Sequence, residues 1–148
     1  MQPSPYLVLT SLIYLFPAYK AYLLGELYLL ASLLCLSTTS VIVHITYDTT
    51  ALLFDRIAIV NYVGYGIFLS SDFSPKLFHT TFFPLVYAIY VHGIGSVYSI
   101  YCFDPDWYVQ QFWHGLIHIF SAYSSFMYLD HYALTPIVDT HAVWTPDV

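Results

Sequence analysis

Three histidines and two smaller polar residues are the side chains in this sequence best placed to do chemistry. They are Ser40 and His44 in STTSVIVHITYD, Asp55 in LLFDRIAIV, and His114 and His118 in FWHGLIHIFSA. Each lies in, or at the edge of, a segment that otherwise reads as lipid-soluble. An ionisable side chain near hydrocarbon costs roughly 2.5–3.5 kcal/mol on insertion scales, which marks it as a functional candidate. One such histidine would mean little. His44 together with a His-x-x-x-His pair supplies three nitrogen ligands, the donor set of an open catalytic zinc site.

Plainer readings stand beside this one. Ser40 could bond a carbonyl one turn back, and Asp55 could cap a helix or pair with a nearby base. His44 could be an interfacial polar residue, and His114 and His118 could line a polar helix contact. Whether the metal reading holds depends on the elements that carry these side chains.

Composition constrains those elements. Of 148 residues, 59% are hydrophobic and 8% charged, with a mean hydropathy of +0.67. Soluble domains carry about 25% charged residues, so a water-soluble fold of this size could not cover itself. Lys20, Arg56 and Lys76 are the only basic side chains, and the formal charge is −6. No basic surface exists for nucleic acid, and that class of partner is excluded. Sixteen Tyr and three Trp fit a membrane setting, because amphipathic rings collect at the headgroup level. Cys35 lies in an apolar run and Cys102 at a helix end, and each reads as a small apolar residue. No basic n-region precedes the first apolar run, so that segment is expected to stay as a membrane helix.

The expected fold is an all-α membrane protein, a bundle of about five transmembrane helices over residues 1–130 with a polar tail over 131–148. A span needs about 20 mostly apolar residues. The first runs from Tyr6 to Tyr19, with Pro17 introducing a kink or an early exit. Lys20 and Gly25–Glu26 mark a tight connection. The second runs from Leu27 to about Ile45, and Tyr47-Asp48-Thr49-Thr50 is a polar connection. The third covers Asp55 to Leu69, and the stretch from Ser70 to Lys76 is a loop by its Ser and Pro content. The fourth covers Phe82 to Ile100 and contains His92, Gly93 and Gly95. His92 reads as a packing hydrogen-bond group, and the two glycines as a close helix approach. After a turn over 103–106, the fifth runs from Tyr108 to Leu129. His79, His131 and His141 fall in loops or the tail. Trp107, Tyr108 and Trp113 read as interface anchors.

This topology tests the metal reading. With spans alternating in direction, the end of span two and the starts of spans three and five meet at one interface. Those ends carry all five candidate residues. His114 and His118 are i and i+4, as are Ser40 and His44, so each pair shares a helix face. Lys20 and Lys76 fall on the opposite side and Arg56 on the site side, which places the site on the lumenal or external face.

The constellation resembles a known family. Ser-x-x-x-His, Asp eleven residues later, then His-x-x-x-His on a late membrane helix is the pattern of the CREST superfamily of membrane hydrolases. SVIVHITYDTTALLFDRIAIVNY is similar to the second-to-third-helix region of its alkaline ceramidase branch, HGLIHIFSAYSSF to the last helix, and SLIYLFPAY to the end of the first. The resemblance implies zinc ligands at His44, His114 and His118, with Ser40 and Asp55 beside the reacting water. The family has seven membrane helices where this chain has room for five. MQPSPYLVL carries no carboxylate where the family has an acidic, calcium-associated segment, and Ile117 replaces an aromatic residue.

The expected function is therefore zinc-dependent hydrolysis of the amide of a ceramide-like N-acyl lipid in an endomembrane or plasma membrane. Asp55 would act as general base or water-orienting group, and Ser40 would stabilise the oxyanion or orient a ligand. Besides the lipid substrate and surrounding membrane lipids, a second copy of the chain is a candidate partner, since a homo-oligomer could replace missing pocket walls. The alternative is a non-enzymatic relative with a structural zinc site, acting in membrane remodelling or as an interaction protein. A haem-binding electron carrier is a third reading, which gives Ser40 and Asp55 no role.

Overall fold

In a computed structural model, residues 3–46, 48–71 and 75–134 are described, with side chains for 3–46, 48–68 and 82–133. The described residues are helical and contain no strand. The helices are α1 (Pro5–Leu12), α2 (Leu15–Leu23), α3 (Leu27–Thr46), α4 (Thr49–Ser71), α5 (Pro75–Tyr98) and α6 (Trp107–Leu134), with a 3-10 turn over Tyr101–Phe103. Because α1 and α2 follow one another along a single path, the described residues form five long helical segments. Three of them, Pro5–Leu23, Leu27–Thr46 and Thr49–Phe68, are long and apolar enough to cross a membrane. α5 contains a shorter apolar stretch, Phe82–Tyr98. α6 is 28 residues long, but His114, His118, Ser121, Ser124 and Ser125 interrupt its apolar character.

The break in the first pass has a local cause. Pro17 lacks the N–H that would bond the carbonyl of Ile13. Phe16 N instead reaches Ile13 O at 3.2 Å, and a turn separates α1 from α2. Ser4 caps α1 by accepting from Leu7 N at 3.2 Å. Gly25, at φ +74°, makes the tight connection into α3.

Several boundaries differ from expectation. α4 begins six residues before Asp55, because Asp48 caps it by accepting from Ala51 N at 2.9 Å. That N–H holds the Asp48 carboxyl below its ordinary range. Asp55 is therefore an interior helix residue and not a cap. α5 ends where Ser99 and Tyr101 adopt left-handed φ values of 55° and 57°. Asp106 caps α6 by accepting from Tyr108 N at 2.8 Å. α6 continues past Leu129, which is fully buried, to Leu134, and Asp130 pairs with Lys20 of α2 instead of opening a tail. His131 thus belongs to the last turn of α6. Of the expected loop from Ser70 to Lys76, Ser70 and Ser71 belong to α4 and Pro75 and Lys76 to α5, while 72–74 and the rest of the tail, 135–148 including His141, lie outside the described residues. His79 falls within α5, and its side chain lies outside them.

The core joins α2, α3, α4 and α6 through Ala18 and Ala21, Leu29 and Leu33, Ala58, Ala122 and Leu129. Small residues on α2 and α4 allow close approach, and Leu and Tyr side chains from α3 and α6 fill the space. Lys20 also lies 4.0 Å from the centre of the Phe126 ring. Cys35 and Cys102 are both free thiols. Gln110 Nε2 donates to Cys102 O at 2.9 Å and ties the start of α6 to the preceding turn.

The two glycines expected at a close helix approach behave differently from one another, and neither meets a neighbouring α-helix within the contacts seen. A Cβ on Gly93 would meet nothing within 4 Å, whereas one on Gly95 would come within 2.6 Å of the Ile100 carbonyl. The close approach is to the turn after α5, where Ile100 N bonds Gly95 O at 3.2 Å. Gly95→Ala should therefore destabilise the fold by about 1–3 kcal/mol through backbone displacement. Gly93→Ala should be neutral or stabilising by up to about 1 kcal/mol. Unfolding midpoints of the two variants beside wild type in one detergent check this contrast.

Candidate metal centre

His44 sits in the last turn of α3, and His114 and His118 one turn apart near the start of α6. α3 and α6 bring the three rings into mutual contact. The His44 centroid lies 5.0 Å from His114 and 5.4 Å from His118, and the latter two are 5.0 Å apart. One ligand nitrogen from each lies within 4.8 Å of the others. Tetrahedral zinc, with Zn–N of about 2.0–2.1 Å, sets N···N at roughly 3.4 Å. Small ring rotations would close that difference.

The donor chemistry fits a metal. His44 is buried, and neither of its ring nitrogens has a hydrogen-bond partner. Burying a polar group without a partner is unfavourable, and a cation held among three imidazoles would engage one of these nitrogens. His118 is also buried but is anchored. Its Nδ1 lies 3.0 Å from Thr10 Oγ1 and 3.4 Å from Ser11 Oγ. α1 is fixed in turn by Ser37 Oγ donating to Ser11 O at 3.0 Å and by Ser4 N donating to His44 O at 3.1 Å.

Asp55 and Ser40 reach the same place from α4 and α3. Ser40 Oγ donates to Asp55 Oδ1 at 2.6 Å, and Thr39 Oγ1 donates to the same oxygen at 2.9 Å. A serine hydroxyl has a single hydrogen. With that hydrogen on Asp55, Ser40 orients the carboxylate, and a role at an oxyanion would require turning it away. All five expected site residues therefore meet at one end of the bundle.

Asp55, Ser40, His114 and His118 line a common cavity of about 220 Å³. The cavity wall on α6 extends to Tyr128, fourteen residues past His114, which is roughly 20 Å at 1.5 Å per residue. Beyond the polar end the lining is largely apolar, including Ile59, Val63, Leu85 and Ala88.

Some residues near the site were not picked out from sequence. Thr39 stands beside Ser40 in the STTS run, and Thr10-Ser11 is a polar pair inside the apolar first pass. That polar pair was the available signal. His92 was expected to make a packing hydrogen bond. It makes none among the described residues, and instead lines the cavity with its ring 5.9 Å from His114 and 5.8 Å from Phe103.

In comparisons with known proteins, no family model, no curated protein and no solved structure matches the chain.

Because both nitrogens of His44 are buried without partners, His44→Leu should stabilise the metal-free protein by about 1–3 kcal/mol. The check is thermal unfolding in detergent with excess chelator. A lowered midpoint for the variant would mean that the imidazole is satisfied after all.

Proposed function

We propose that the chain is a multi-pass membrane protein of five spans whose three-histidine centre holds zinc and hydrolyses the amide of a ceramide-like N-acyl lipid. The observation that carries this reading is a cluster of three imidazole donors, two of which, His114 and His118, line a long and largely apolar cavity together with Ser40 and Asp55. A zinc ion held there supplies Lewis-acid activation of water and of a carbonyl oxygen.

The protein's own groups supply the rest. Asp55, with Ser40 and Thr39 both donating to Oδ1, is preset as a proton acceptor. Its Oδ2 makes no hydrogen bond among the described residues and would take the proton of the attacking water. The apolar side of the cavity, Ile59, Val63 and Leu85, would hold a hydrocarbon chain with its amide beside the histidines, while Ser121, Ser124 and Ser125 of α6 line it towards Tyr128. Exposed apolar side chains such as Phe16, Val60 and Val97 suit a lipid surround, since a soluble monomer rarely leaves so much apolar surface uncovered. The excess of Lys20 and Lys76 on the far side favours a lumenal or external site.

Against a closed structural zinc site, the donor cluster among the described residues has three members and no fourth. Among the described residues His92 is the nearest further imidazole, its ring 5.9 Å from His114, and it is not one of the clustered donors. Haem is disfavoured because the edge-on contact of His44 with His114, at 5.0 Å, leaves no room for a macrocycle between them.

Two linked measurements test the proposal. Metal analysis of detergent-purified protein should give about one zinc per chain, lost in His118→Ala. Asp55→Asn should keep the zinc and lose about 10²–10⁴-fold in hydrolysis of an N-acyl sphingoid lipid. Well-folded wild type without zinc would overturn the metal centre. Zinc-loaded wild type that hydrolyses no such amide would leave the site metal-bound and the amidase reading wrong.

A further inference from the structure

α1 reaches the metal centre through Thr10 and Ser11, and their hydroxyls are the polar groups against His118 Nδ1, at 3.0 and 3.4 Å. Both hydroxyls also face one carbonyl. Ser11 Oγ lies 2.7 Å from Leu7 O, and Thr10 Oγ1 lies 3.1 Å from it. Each hydroxyl has one hydrogen to give and lone pairs to accept with. Leu7 O also stands in the α1 ladder as acceptor of the Ser11 N–H, and helical Ser and Thr hydroxyls back-bond such carbonyls beside the ladder bond, so both hydroxyl hydrogens can point to Leu7 O. The two hydroxyl oxygens are then acceptors turned towards the imidazole. A ring N–H at Nδ1 completes this network, whereas a bare Nδ1 would compete with Leu7 O for a hydroxyl hydrogen.

We propose that Thr10, supported by Ser11, holds His118 in the Nδ1–H tautomer and so presents Nε2 as its donor to the cavity. This rests on the reading of His118 as a metal ligand. Thr10 is a positioning residue, because it acts through the imidazole and does not touch the metal. The nitrogen opposite a metal commonly donates to an oxygen that fixes ring and tautomer, and losing that oxygen typically weakens metal binding 10–100-fold.

The arrangement gives the first pass a defined role. α1 is joined to the centre at three places: Thr10 and Ser11 on His118, Ser4 N on His44 O, and Ser37 on Ser11 O. The first two address different ligands on different helices. The N-terminal pass thus acts as a brace across α3 and α6, and the hydroxyl of Thr10 is the part of the brace that selects a nitrogen.

The test has a metal-free arm and a metal arm. Histidine ¹⁵N resonances of the metal-free protein in detergent should report His118 as the Nδ1–H tautomer, assigned by its loss in His118→Ala. Thr10→Val, which keeps the β-branched shape, should move His118 towards the Nε2–H tautomer or a mixture, and Thr10→Ser should restore the wild-type pattern. In competition with a zinc chelator, Thr10→Val should bind zinc about 10–100-fold more weakly and Thr10→Ser near wild type. An Nε2–H tautomer in the wild type overturns the proposal without any variant being made. A Thr10→Val protein with wild-type tautomer and wild-type zinc affinity overturns it equally. Wild type that has the Nδ1–H tautomer but binds no zinc would sink the metal reading while the role of Thr10 in setting the tautomer stands.

Discussion

The structure depends on how three imidazoles are kept together in an interior that offers them few partners. A neutral imidazole has one donor and one acceptor, and in a low-dielectric interior each must be met or its desolvation stays uncompensated. His118 is met on one side by the hydroxyls of α1. His44 is met on neither. α3 and α6 therefore converge at a point that packing alone would not favour. That convergence must be held by contacts elsewhere, in the core around Leu33, Ala58, Ala122 and Leu129 and in the Lys20–Asp130 pair.

Stability and the candidate chemistry thus occupy opposite ends of one bundle. Towards the α2 end, Ala18 and Ala21 lie in the core against α3, and Leu29 and Tyr128 both join that core and line the far end of the cavity. At the site end, α1 replaces α2, small hydroxyl residues replace alanines, and the interior opens into the cavity. The change coincides with the Pro17 break, which separates the helix that braces the site from the helix that packs the core. α6 passes through both regions. Its polar residues face the site and cavity, and its last turns carry Leu129 and Asp130 into the packed end.

Asp55 is the clearest case of a residue whose role depends on its surroundings. Its place near an expected helix start suited a cap, yet Asp48 does the capping. Asp55 sits instead nearly two turns into α4, buried and receiving two hydroxyl donors from α3. A carboxylate so placed is oriented by the protein, and this is what favours a proton-accepting role over a structural one.

Much of this was legible in the sequence because the physics involved is short-range. Low charge and long apolar runs dictate helices, the i, i+4 spacing puts His114 with His118 and Ser40 with His44, and alternating passes bring their ends to one level. Helix ends were less legible. Asp48 as a cap, and Lys20 paired with Asp130 where α6 continues, depend on local geometry or on partners 110 residues apart. The support for the site was least legible. Thr10 is an unremarked hydroxyl in an apolar helix until α1 lies against α6, and Thr39 is one of four small polar residues until α4 supplies a carboxylate. The sequence alone determined which side chains could bind a metal and at which end of the bundle they would meet. Only the tertiary structure decided which hydroxyl faces which ligand, because that choice is made by contacts between helices far apart in the chain, to which no spacing rule applies.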